Sequence, residues 1–164
     1  MTEKEAEDLI FDMKNDWTLL FEEGSCDKAW KICMEAWDLL PEPKYKQPMS
    51  WFVVTDIVKY AIKTKRLAYA DKFLALLFIC ALDRADSEDR EFWAGRLAYE
   101  KGDIGIAKEL FARSLEKGKG YGLINRPENR EYKELVLGKR KTAKSKSKLP
   151  ANKLIDQADK AFAK

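Results

Sequence analysis

"GDIGIAKELFARSL", Gly102 to Leu115, decides the fold. Gly102 and Asp103 mark a turn, after which Ala107, Phe111 and Ser114 recur at spacings of four and three, the signature of one helix face. The same order appears twice upstream. Gly24, Ala29, Cys33, Ala36 and Pro41 repeat it in one segment, and Leu67, Ala70, Leu74 and Leu77 in another. The anchor alanines 29, 70 and 107 stand 41 and 37 residues apart, a period that belongs to arrays of helical hairpins. Each anchor opens the second helix of a pair, and an amphipathic stretch precedes each one, at 6–22, 50–64 and 87–101. The chain is therefore predicted to be all-α, with three antiparallel hairpins stacked on one another. A small residue at the anchor lets two helices approach, and the bulky residue one turn later fills the space beside the next pair.

Local signals set the expected boundaries. Ser50 and Ser87 stand where N-caps belong, and Glu88, Asp89 and Glu91 put negative charge into the first turn that follows. Pro41, Pro43 and Pro48 close the first hairpin. Beyond "GKGYGLINRP" comes a short helix with Pro127 at its start, then a basic stretch. Last comes an amphipathic helix with Leu154, Ile155, Ala158 and Phe162 on one face. The expected organisation is a repeat domain over 1–137, a basic linker over 138–149 and a terminal helix over 150–164. One of the C-terminal helices is expected to cap the apolar end of the stack.

These residues resemble the tetratricopeptide repeat, which the third hairpin matches best: Gly95 as the first-helix glycine, Gly102-Asp103 as the turn, Ala107 as the alanine and Phe111 as the aromatic. The first hairpin departs from the pattern with Trp17 at the glycine position and Cys33 at the aromatic. The second departs with Val58 at the glycine and Lys65-Arg66 at the turn. The resemblance covers about residues 7 to 117 and implies a short right-handed solenoid whose first helices line a protein-binding groove. Carried onto this chain, the partner-binding positions are Lys14, Thr18, Phe21, Phe52, Thr55, Lys59, Lys63, Phe92, Arg96 and Tyr99, with Phe11, Ile62 and Asp89 beside them. Co-chaperone members hold a carboxylate tail in this groove; Asp56 and Asp89 oppose that role here.

Composition narrows the chemistry. The 31 basic and 28 acidic side chains leave a charge of +3, too small to drive binding to nucleic acid or membrane. The charge is unevenly spread: residues 1–42 hold twelve acids against four lysines, whereas 138–153 hold seven cations and no acid. There is no histidine, which removes the usual general base, the commonest zinc ligand and every Ser-His or Cys-His pair. Cys26, Cys33 and Cys80 lack metal-site spacing and are expected as reduced thiols. No phosphate loop is present, no cofactor or metal is implied, and the expectation is a non-enzyme. The apolar run 73–82 is half a membrane span and the N-terminus has no signal-like apolar core, so a cytoplasmic location is expected. "GKRKTAKSKSK" has no aromatic between its lysines, which limits nucleic acid to non-specific contact. A solvated linker, or an arm against an acidic protein, is the favoured reading.

"LINRPENREYKELV" resembles the close of short bacterial repeat proteins that act as immunity partners of polymorphic toxins, through Glu128, Tyr132 and Leu135. That resemblance implies a protein that neutralises a cognate toxin. An adaptor or chaperone that assembles a larger complex is the alternative.

Overall fold

A computed structural model describes residues 1–80, 82 and 87–138. Among these, seven α-helices and no strand are found: α1 Glu3–Glu22, α2 Cys26–Leu39, α3 Ser50–Lys63, α4 Leu67–Leu77, α5 Asp89–Glu100, α6 Ile104–Gly118 and α7 Arg130–Leu137. They fall into two compact units, Met1–Ala85 with α1 to α4, and Asp86–Lys164 with α5 to α7. The expected basic linker from residue 139 and the expected helix 150–164 lie outside the described residues.

The all-α expectation holds, and so do the three pairs: α1 packs on α2, α3 on α4 and α5 on α6. The anchor alanines 29, 70 and 107 are completely buried. Each hairpin turns on the same backbone device. Five residues before each anchor, Gly24, Lys65 and Gly102 adopt left-handed φ values of 87°, 62° and 84°. The next residue then bonds back five positions, Ser25 N to Leu20 O at 2.8 Å, Arg66 N to Ala61 O at 2.8 Å and Asp103 N to Ala98 O at 2.9 Å. This is a Schellman closure, which satisfies carbonyls that the helix end leaves bare. The second turn, without a glycine in its sequence, is built like the other two.

In the first unit α2 packs on α3, and rings tie α2 to α4: Trp30 meets Tyr69 edge-on at 5.1 Å, and Trp37 meets Phe73 at 5.4 Å. Arg66 lies 4.3 Å over the Trp30 ring while its Nη1 bonds Asp27 at 2.7 Å. At the end of α2, Lys44 Nζ donates to the Trp37 and Leu40 carbonyls at 2.9 and 2.8 Å, where a cation complements the helix dipole.

In the second unit Phe111 sits directly over Gly95. A Cβ built there would lie 2.7 Å from the ring, so only glycine admits it. Its other neighbours are Phe92 at 5.9 Å and Tyr132 of α7 at 5.1 Å. The bulky residue after the anchor thus fills space in its own hairpin as well as beside the next helix. α7 packs on α6.

Two expected N-caps are corrected. Ser50 is the first residue of α3, buried, with its Oγ donating to Tyr45 O at 3.4 Å; its own N–H already bonds Gln47 O at 3.0 Å, so the chain is turning before it arrives. Ser87 accepts a long 3.4 Å bond from Asp89 N, and Glu88 holds the cap position. The Glu88 carboxylate faces elsewhere, accepting from Leu123 N at 2.7 Å, which pins the connection after α6. One cap was not foreseen: Thr2 and Glu5 form a reciprocal capping box at the start of α1, at 3.1 and 2.7 Å.

Candidate functional site

At about 100° per residue, Phe11, Lys14, Thr18 and Phe21 share one stripe of α1, and Phe52, Thr55, Lys59 and Lys63 share one of α3. The structure brings these two stripes together in the first unit. Lys14 Nζ lies 5.6 Å from the Phe52 ring centroid, and Lys59 Nζ lies 4.4 Å from Phe21 and 5.7 Å from Tyr60. Phe21 and Tyr60 stack at 4.6 Å. Both lysines are half-buried, and neither ammonium has a hydrogen-bond or ion-pair partner among the described residues. Ring faces hold them by the cation–π attraction, which leaves all their N–H donors available. Phe52 is 36% exposed and Phe11 58%, so the surface offers apolar area beside those donors.

The remaining expected positions in this unit behave differently from one another. Lys63 is exposed and Thr18 half-buried. Thr55 Oγ1 donates to Trp51 O at 2.7 Å, so its hydroxyl proton is committed to the backbone. Ile62 is a core residue at 1% exposure: it lies about 80° around α3 from Phe52, at the edge of the buried arc that holds Val53, Val54, Ile57 and Val58.

Beneath the lysines, Trp17 and Asp56 form a pair that the sequence did not foretell. Trp17, fully buried, donates its indole N–H to Asp56 Oδ2 at 2.8 Å. Burial pushes the Asp56 carboxyl above its ordinary value, an effect opposed by the Trp17 bond and by Lys59 and Lys14. Burial likewise raises the Cys33 thiol and the Tyr60 phenol, and the Asp56 charge adds to both shifts. Cys33 is therefore a neutral, unreactive thiol. The available signal was positional: Asp56 stands between Phe52 and Lys59 on the α3 stripe, next to the buried Val53 and Ile57.

In the second unit the expected Phe92, Arg96 and Tyr99 do not form an open surface, because α7 covers them. Phe92 is 1% exposed, against Trp93 at 5.1 Å and Phe111 at 5.9 Å. The Arg96 guanidinium lies 4.5 Å over Tyr132, with Nη2 3.8 Å from Glu100. Tyr99 meets Tyr132 edge-on at 5.2 Å. Of the three, Phe92 is corrected to the packing of this unit, while Arg96 and Tyr99 are half-buried against Tyr132. Tyr132 and Leu135, two of the three residues that carried the likeness to immunity proteins, are themselves buried.

Among the described residues, no group of three His, Cys, Asp or Glu is placed to hold a metal, and no helix is long and apolar enough to cross a membrane. Comparison with family models, with curated proteins and with solved structures gives no match to this chain.

Proposed function

We propose that this chain is a tetratricopeptide-like, non-catalytic protein-binding module, and that it serves as a bacterial immunity protein in the cytoplasm, neutralising a cognate toxin through the α1–α3 face. One observation carries this reading: Lys14 and Lys59 are poised over rings with no hydrogen bond to either ammonium among the described residues, beside Phe52, which is 36% exposed. Rings and cations held in place in advance lose little entropy when a partner docks, and such residues dominate binding hot spots. The partner surface that fits them carries carboxylates beside an apolar patch. The hairpin repeat itself supports the tetratricopeptide-like assignment, since three turns close with one geometry ahead of three buried alanines.

The test is coexpression of the chain with the product of the neighbouring gene. Survival that requires this chain, lost with Lys14→Glu together with Lys59→Glu, is the expected result. A product equally lethal with and without the chain ends the immunity reading. Stable capture without any change in lethality makes the protein an adaptor instead.

A further inference from the structure

The first hairpin has a second flank. Trp17, Phe21 and Lys14 point from α1 toward α3, and Trp30 and Trp37 point from α2 toward α4. On the side turned away from those contacts, α1 carries Leu9, Met13, Asp16 and Leu20 at intervals of four, three and four, and Glu23 at its C-cap continues the line. α2 carries Lys28, Ile32, Glu35 and Leu39 at the corresponding intervals. Leu9 is 40% and Leu39 36% exposed, and Met13, Leu20 and Ile32 are half-buried, so an apolar strip runs along this flank. Its charges are mostly acidic and uncompensated. Asp12, Asp16, Glu23 and Glu35 are all exposed, and none has an ion-pair partner among the described residues. Against them stand Lys28 and, at the edge of the strip one turn before Glu35, Lys31.

We propose that this outer flank of the first hairpin is a docking surface for a cationic amphipathic helix of a partner protein. The inner flank of the same hairpin already packs against helices of the second hairpin, so a further helix on the outer flank would repeat a geometry that the chain uses. Apolar residues of the incoming helix meet the strip, and lysines or arginines along its edges meet the four acids, the helix-in-groove mode of recognition. Charge complementarity selects the occupant. A second copy docking through the same flank would set four acids against four, which is repulsive. The inference does not depend on what the α1–α3 face binds.

The experiment titrates the full chain with two synthetic amphipathic helices that share a leucine face, one edged with lysine and one with glutamate, and follows binding by fluorescence anisotropy. The lysine-edged peptide should bind, weaken as salt is raised, and lose about tenfold in affinity with Asp16→Lys plus Glu23→Lys, two exposed positions where folding is unaffected. Leu9→Asp should weaken it similarly, whereas Lys14→Glu plus Lys59→Glu should leave it unchanged. Equal binding of both peptides overturns the proposal, as does indifference to the Asp16 and Glu23 reversals. Self-association of the chain that Leu9→Asp abolishes overturns it as well, in favour of a second copy.

Discussion

The first and third hairpins carry their bulk on opposite helices. In the third, Gly95 on the first helix makes room for Phe111 on the second. In the first, the equivalent positions hold Trp17 and Cys33, both fully buried, so the large residue stands where the glycine was and a small one where the ring was. What repeats is one large and one small residue across the pair, beside a buried alanine twelve residues after the first position. The exchange has a consequence that volume alone does not describe. A phenylalanine needs only neighbours, and Phe111 finds them in Phe92 and Tyr132. A buried tryptophan also needs an acceptor for its N–H, and Asp56 of α3 supplies it. The first hairpin is thereby tied to the helix that carries Phe52 and Lys59.

The largest effect should come from removing the ring. Trp17→Ala is expected to cost about 3–5 kcal/mol in urea denaturation, through the cavity left and the bond withdrawn from Asp56. Adding Cys33→Phe should restore part of that loss by copying the third hairpin's arrangement, but not all of it, because Asp56 stays without its donor. Complete restoration would mean that the Trp17–Asp56 bond contributes nothing.

Next in size is the converse change. Gly95→Ala gains about 1 kcal/mol of helix propensity, yet its methyl would meet a ring fixed between Phe92 and Tyr132. A net loss of roughly 1–3 kcal/mol is expected. In a Phe111→Leu background the sign should reverse, leaving the alanine neutral or stabilising. A loss of the same size in both backgrounds would show that the close approach of Phe111 is not the reason for the glycine.

The hairpins and the anchors were legible because helix periodicity and turn residues are local properties of the chain. The Trp17–Asp56 bond was not, since it spans 39 positions and depends on how α1 and α3 meet. The covering of Phe92, Arg96 and Tyr99 was missed for a related reason: the stripe on α5 is correct, but the ring that occupies it, Tyr132, arrives from a helix beyond an irregular connection. Ser50 and Ser87 looked like caps by residue type, whereas the path of the preceding chain decides which residue takes that place. On the α1–α3 face, Lys14, Phe21, Phe52 and Lys59 come together because residues on two helical stripes meet wherever the helices pack side by side.

Asp56 allows a test by pH. Its carboxyl is raised by burial, so the folded state favours the protonated form. The corresponding stability is fully present below the ordinary aspartate value of about 3.9 and is lost as pH rises through the folded value. Asp56→Asn keeps an acceptor for Trp17 and removes the buried charge. Its stability relative to the natural chain should therefore grow as pH is raised above about 4 and level off once the folded carboxyl has ionised. A difference that stays constant across that range would mean the carboxyl is not perturbed by folding.

The smallest expected effect separates the hairpins by their turns. Gly102 and Lys65 occupy the same left-handed position, but the lysine carries a Cβ that this conformation crowds. Lys65→Gly should relieve that strain and stabilise by about 0.5–1 kcal/mol, while Gly102→Ala should introduce it and destabilise by about 1 kcal/mol. A Cβ at Gly102 would meet nothing within 4 Å, so the cost there is one of backbone conformation and not of crowding by neighbours. If both substitutions destabilise, the side chain of Lys65 contributes contacts that outweigh its strain, and the second turn is held by more than the Schellman closure it shares with the other two.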